Sequence, residues 1–374
     1  MESQITIIAS LGAFLFGADS GLINKIQTLS TFKQQFSLDS QILSLIVMCG
    51  LFGCMVGSIS CGYLADKLGR RNCMVVMSCI FLVGTFVQIM SGHIYLFLFG
   101  RFVGGIAIGS LYTIAPMYVG EVCSANKRGM LVSAQHLAIA FANLLVFVIV
   151  YNLEHARMFM LVDWQLAILI QIIPVLLLII GCLYIPKSPR WLIMKNDYEG
   201  ARKALQCIYK EDDKQVVERF NHIHDALSLE LKQMPWDQVI RIYWRRLLMG
   251  MTLQMFKRLS GVNALLYYST KLFLQVIPQY ANEMSILQNI LNFVFTAPSI
   301  VLTDRVGRRS LLIFGATGCC IGLFMTGTGM LFNVPILAVI GVFFAVINFA
   351  YSLGPVPLVV CVEIFPLQST FKLM

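Results

Sequence analysis

Apolar residues in this chain fall in long blocks rather than in the short stripes of a half-buried helix or strand. A helix needs about 20 mostly apolar residues to cross the hydrocarbon of a bilayer. Ten stretches meet that length: 5–27, 42–64, 73–92, 94–118, 130–152, 165–185, 247–275, 284–302, 310–331 and 335–362. Polar residues concentrate in the links, and only the link at 187–245 is long. It mixes Lys and Arg with Asp and Glu, and Ala201, Leu205, Ile208 and Tyr209 form a stripe opposed to Arg202, Lys203 and Gln206. That periodicity predicts short amphipathic helices outside the bilayer. They separate a six-span segment (1–186) from a four-span segment (246–374). Pro186 and Pro189 end the sixth span, and Trp191 suits the membrane interface.

Two short links are near copies of each other. Gly62-Tyr-Leu-Ala-Asp-Lys-Leu-Gly-Arg-Arg71 joins spans 2 and 3, and Val301-Leu-Thr-Asp-Arg-Val-Gly-Arg-Arg309 joins spans 8 and 9. A link that only held topology would need Lys and Arg, not Asp and Gly at fixed offsets. The repeat therefore points to internal duplication, a common plan among membrane transporters. Cations also orient the chain. Lys67, Arg70, Arg71, Lys127, Arg128, Arg305, Arg308 and Arg309 crowd the links after even-numbered spans, against Lys33, His93 and Arg157 in the opposite ones. This bias predicts a multi-pass protein with its N-terminus and 187–245 in the cytosol; the plasma membrane is its expected location.

Composition agrees: 58% of the 374 residues are hydrophobic and 13% charged, about half the charge of a soluble domain. The net charge of +9 lies in the links, which argues for membrane topology and against a nucleic-acid face. None of the eleven cysteines forms a CxxC pair, so they read as small core residues. Met1-Glu2 lacks the basic start of a cleavable signal. No nucleophile–base pair, phosphate loop or metal motif is present, so neither an enzyme nor a cofactor is expected.

The motifs taken together resemble the sugar-porter branch of the major facilitator superfamily. They are Phe16-Gly-Ala-Asp-Ser-Gly21, the two charged links, Gly100-Arg101 with Gly104, Gly105 and Gly109, and Pro116-Met-Tyr-Val-Gly-Glu121 leading to Arg128-Gly129. Pro186-Lys-Ser-Pro-Arg-Trp-Leu192, Leu259-Ser-Gly-Val-Asn-Ala264, Tyr267-Tyr268-Ser269, Gly354-Pro-Val-Pro357 and Glu363-Ile-Phe-Pro366 follow in order. The resemblance implies an all-α membrane protein of two pseudo-symmetric helix bundles, with about ten of an expected twelve helices present. It implies a carrier of a sugar or polyol working by alternating access, with the lipid bilayer as its surroundings and protons as a second partner.

Site residues follow from the same positions. Asp66, Arg70, Arg71, Glu121 and Arg128, and in the second copy Asp304, Arg308, Arg309 and Glu363, would form a cytoplasmic gate. An ionisable residue inside a span expects a partner, so Asp19 and Arg101 are paired and assigned to proton coupling. His136, Asn143, Asn263, Tyr267, Tyr268 and Asn292 would bind substrate, amides for hydroxyls and rings for the sugar face. Lys257 and Arg258 belong to the same shell but stand where the family has two glutamines, and His136 also replaces one. The two cations would favour an anion, so a carrier of an anionic sugar derivative is one alternative, and a non-transporting sensor-like or truncated relative is the other. Thr370 occupies the place of the Arg expected after Glu363, Ala350 that of an acid and Leu358 that of a Trp. Two spans fewer in the second half predict weak closure of that bundle. Gly53, Gly57, Gly105 and Gly109 form small-xxx-small patterns for close helix packing, and Gly354-Pro355-Val356-Pro357 predicts a bend in span 10.

Overall fold

A computed structural model describes residues 2–36, 40–123, 128–156, 163–209, 216–221, 223–225 and 236–364. Among these residues all regular structure is helical. The first bundle comprises α1 (Glu2–Ile26), the short α2 (Ser30–Phe36), α3 (Ser40–Leu68), α4 (Arg70–Ile89), α5 (Ile94–Val122), α6 (Arg128–Ala156), and α7 (Asp163–Leu169) continued by α8 (Ile172–Tyr184). After α9 (Pro189–Met194) and α10 (Tyr198–Tyr209), the second bundle is built from α11 (Trp236–Leu259), α12 (Val262–Val276), α13 (Ala281–Thr296), α14 (Ser299–Arg305), α15 (Arg308–Leu331), α16 (Pro335–Asn348) and α17 (Val356–Ile364). Helix α11 thus starts ahead of the boundary at 246 expected from hydropathy.

Nine described helices are long and apolar enough to cross a bilayer. The remaining expected span, 247–275, is not one helix. Helix α11 ends at Leu259, Gly261 takes a left-handed φ of +79°, and α12 restarts at Val262. Only glycine adopts that backbone without steric strain, so Ser260-Gly261 splits a block that reads as continuous by hydropathy. Span 10 loosens one turn before the predicted bend: Phe349–Leu353 is a π-helical turn ahead of Gly354-Pro355. Proline lacks an N–H and its ring crowds the preceding turn, so the widening falls on the N-terminal side of Pro355.

Helix pairs pack by close approach. Lipid tails are as apolar as Leu, so helices gain by tight contact and by hydrogen bonds between them. Helix α5 is the centre of the first bundle, with α3 and α4 against it, while α1 lies along α6. A Cβ on Gly57 would stand 2.0 Å from the Ile106 carbonyl oxygen, and one on Gly109 2.2 Å from that of Cys54. Ser110 Oγ donates to Gly57 O at 2.9 Å, and Ser58 Oγ to Gly109 O at 3.2 Å. The predicted small-residue pattern is this α3–α5 seam. In the second bundle α15 lies along α16.

The amphipathic stripe behaves as its period predicts. Ala201, Leu205 and Ile208 of α10 are buried, Arg202, Lys203 and Gln206 exposed. Tyr209 is half-buried and its hydroxyl donates to Val122 O at 2.8 Å. Trp191 Nε1 donates to Asp66 O at 3.0 Å, which docks this helical segment under the charged end of the first bundle.

Candidate functional site

At that charged end Arg70, with its side chain fully buried, bridges two carboxylates. Its Nε meets Glu121 Oε1 at 3.0 Å and its Nη2 meets Asp66 Oδ1 at 3.2 Å. Nη1 donates to Ala65 O at 3.0 Å. Ser188 Oγ donates to Glu121 Oε2, a contact that sequence reading missed because the Pro-Lys-Ser-Pro motif was legible only as the end of a span. Arg71, expected in the same network, instead donates to Ile185 O at 3.2 Å. Consecutive helical residues point about 100° apart, so two arginines in a row cannot share one carboxylate face. The second copy repeats the backbone. Gly69 and Gly307 have φ/ψ of 83°/154° and 87°/148°, and Arg308 Nη1 donates to Thr303 O at 3.1 Å as Arg70 does to Ala65. Arg309 is exposed. The side chains of Arg128, Asp304 and Glu363 lie outside the described residues.

Deeper in the first bundle, Arg101 grips Asp19 with both guanidinium nitrogens, Nη1 on Oδ1 and Nη2 on Oδ2, the latter at 3.0 Å. The two side chains are 6% and 14% exposed. Gly50 makes room for the pair, since a Cβ there would stand 2.6 Å from Arg101 Nη2. The expected partnership of the two intramembrane charges is therefore present as a bidentate ion pair.

Between the bundles lies a cavity lined by residues of α1, α5, α6, α11, α12, α13 and the π-turn. Seven of the eight predicted substrate residues meet there: His136, Asn143, Lys257, Arg258, Asn263, Tyr267 and Asn292. Tyr268 does not line it, because successive helical positions face apart; it packs against the apolar cluster around Leu22 and Ile26. Phe16, Ser20, Tyr112 and Phe349 line it too, with Ile139, Ala140 and Leu266. Ser20 had a signal in the Asp19-Ser20-Gly21 motif, whereas Tyr112 and Phe349 sit in uniformly apolar blocks and had none. Asn143 Nδ2 donates to Ser20 Oγ at 3.4 Å. Asn143 Oδ1, Asn263 Nδ2, Asn292 Oδ1 and His136 Nδ1 are buried without a partner in the protein.

Room in the cavity amounts to about 40 Å³, enough for a few waters and far below a typical ligand pocket of roughly 300–1,000 Å³. Contacts between the bundles flank the cavity at both ends. At the end remote from the charged links, Asn24 Nδ2 donates to Ser269 Oγ at 3.0 Å and Lys25 Nζ to Asn282 Oδ1 at 2.8 Å. Lys25 Nζ also stands 5.9 Å from the Phe147 ring centroid and 5.5 Å from that of Tyr151. At the other end Val132 packs against Leu358 and Val359.

A family model described as sugar (and other) transporter matches residues 5–372. The chain belongs to this transporter family. The D-xylose-proton symporter of Escherichia coli is 30% identical over 394 residues, covering 97% of this chain and 79% of that one. Glucose transporter GlcP of Staphylococcus epidermidis is 27% identical and is covered to 81% over 98% of this chain. Among solved structures, the proton:xylose symporter XylE bound to 6-bromo-6-deoxy-D-glucose superposes with a TM-score of 0.87 at 27% identity, covering 99% of this chain and 84% of that one. XylE from E. coli in a partially occluded inward-open conformation gives 0.84 (28% identity, 99% and 86% covered), and in an inward-open conformation 0.77 (27%, 96% and 82%). This member of the sugar (and other) transporter family is accordingly a multi-pass integral membrane protein with the major facilitator fold. It is a carrier rather than an enzyme.

Proposed function

We propose that this chain carries a sugar or polyol across the plasma membrane by alternating access, with proton coupling through Asp19. The carrying observation is the cavity shared by both bundles. There α6, α12 and α13 each present an amide with an unfilled hydrogen-bonding atom, on Asn143, Asn263 and Asn292. Sugar hydroxyls both donate and accept, so an asparagine on each bundle reads them from opposite sides, while Tyr267, Tyr112 and Phe16 offer ring faces. Opening one mouth requires breaking Lys25–Asn282 and Asn24–Ser269, and opening the other requires parting Val132 from Leu358 and Val359. Because the same residues see substrate from either mouth, rocking of the bundles would expose the site to one side at a time.

The cation-rich links support a cytosolic side for the Arg70–Glu121–Ser188 cluster, the N-terminus and the segment 187–245. Asp66, Arg70 and Glu121 hold the ends of α3, α4 and α5 together there, Arg71 bonds the Ile185 carbonyl beside them instead, and Arg128 and the second-copy residues Asp304, Arg308, Arg309 and Glu363 are assigned to the same gate. Protonating Asp19 would turn a two-point ion pair with Arg101 into a single neutral-acceptor bond and free the arginine to rearrange, which links proton occupancy to bundle position. Reconstitution of the purified chain in liposomes tests the reading. D-xylose or D-glucose uptake should saturate and rise with an inward proton gradient. Binding without saturable flux would favour a non-transporting sensor instead.

A further inference from the structure

We infer that the preferred occupant of the inter-bundle cavity is a sugar acid, an aldonate or uronate whose carboxylate meets Lys257 and Arg258 while its hydroxyls meet the asparagines. This rests on the carrier reading above and narrows its substrate class.

Lys257 is the starting point. Its side chain lines the cavity and the residue is 3% exposed. Nζ donates to Gly354 O at 2.6 Å, which engages one of the three ammonium protons. Among the described residues Lys257 has no carboxylate partner, and none of the residues lining the cavity is acidic. Asp19, on α1, has both oxygens engaged by Arg101. Arg258 follows directly in sequence, lines the same wall, and has its guanidinium 5.9 Å from the Phe16 ring centroid. Arg258 is exposed, but Lys257 is held out of water; a cation so placed without a counter-charge is strongly disfavoured, and a carboxylate brought in by a ligand relieves that.

Two further features point to the same place. Helix α12 begins at the cavity wall, where Gly261 leaves its first turn without a side-chain cap and Asn263 lines the cavity. The free amides and positive dipole end of a half-helix favour negative charge, as discontinuous helices in carriers do. His136 stands on the other side of Gly354: a Cβ added to that glycine would lie 2.4 Å from His136 Nε2. Its Nδ1 is buried and unpartnered. Lys257, Gly354 and His136 thus form one polar corner of a cavity that the neutral amides of Asn143 and Asn292 also line. A polyhydroxylated monoanion satisfies both ends. A neutral hexose leaves the corner unfilled, and a bare carboxylate leaves the amides unfilled.

The test is calorimetric titration of the purified full chain in nanodiscs, at fixed ionic strength, with D-glucuronate, D-glucose and L-lactate. D-Glucuronate is expected to bind at least ten-fold more tightly than D-glucose and than L-lactate. In Lys257→Gln the glucuronate affinity should fall at least ten-fold while D-glucose is unchanged or tighter, and Lys257→Arg should keep the preference for the acid. If Lys257→Gln does not fold, the order of ligands in the parent and in Lys257→Arg decides. Equal or tighter binding of D-glucose in the parent overturns the inference and leaves the sugar-carrier reading standing. L-Lactate equal to D-glucuronate also overturns it and marks a simple anion site. Binding of no sugar and no sugar acid overturns both readings.

Discussion

Replacing Asp19 by Asn is the sharpest test of the ion pair, because it changes one charge and almost no volume. Arg101 is 6% exposed and Asp19 14%, so neither charge is well screened by solvent. Removing one partner of a buried pair costs about 3–5 kcal/mol, since the other is left as an uncompensated charge. The Asn carbonyl can still accept one of the two N–H bonds, and a hydrogen bond to a charged group is worth about 1.5–3 kcal/mol. The net destabilisation is therefore roughly 1–3 kcal/mol. A second change, Arg101→Gln, removes the stranded charge, so the double variant should be more stable than Asp19→Asn alone, a coupling readable in a double-mutant cycle. The functional arm is larger. One pH unit is about 1.4 kcal/mol per proton, so one-to-one coupling permits about ten-fold sugar accumulation per unit of gradient. Asp19→Asn should accumulate sugar to no more than the external level, while sugar-for-sugar exchange, which needs no net protonation, continues. Melting curves, gradient-driven uptake and counterflow in the same liposomes give all three numbers. Ten-fold accumulation by Asp19→Asn, or a melting temperature equal to the parent's, would refute the reasoning.

Gly57→Ala places a Cβ 2.0 Å from Ile106 O, well inside the 3.4 Å of an ordinary contact. It should lower stability by about 1–3 kcal/mol, whereas Gly62→Ala, with nothing within 4 Å, should not; equal melting temperatures would show that the α3–α5 seam is not tight. Glu121→Gln neutralises the more buried of the two carboxylates on Arg70 and should cost about 1.5–3 kcal/mol, the value of a hydrogen bond between charged groups, read by thermal denaturation against Lys67→Gln as a surface control. Cys207 is exposed on α10, and an impermeant maleimide should reach it only after the membrane is permeabilised, with Cys207→Ser as the blank; labelling in intact cells would reverse the assigned orientation.

Sequence alone determined the bilayer as solvent and the placing of nearly all spans, because hydrocarbon crossing demands local runs of apolar residues. It determined the duplicated turns as well. Gly69 and Gly307 share a positive φ that their fixed offset from Asp66 and Asp304 encodes locally. The Asp19–Arg101 pair was legible too, since an isolated acid and an isolated arginine in apolar blocks each require a partner. What only the tertiary structure decided depends on neighbours distant in sequence or on backbone sign. Hydropathy averages over 247–275 and cannot register that Gly261 turns left-handed and splits the span. Helical phase turns Tyr267, and not Tyr268, onto the cavity. Arg71 finds the Ile185 carbonyl rather than an acid. Lys25 and Asn282 meet across 257 residues of chain, because bundle against bundle is the one contact that no local pattern contains.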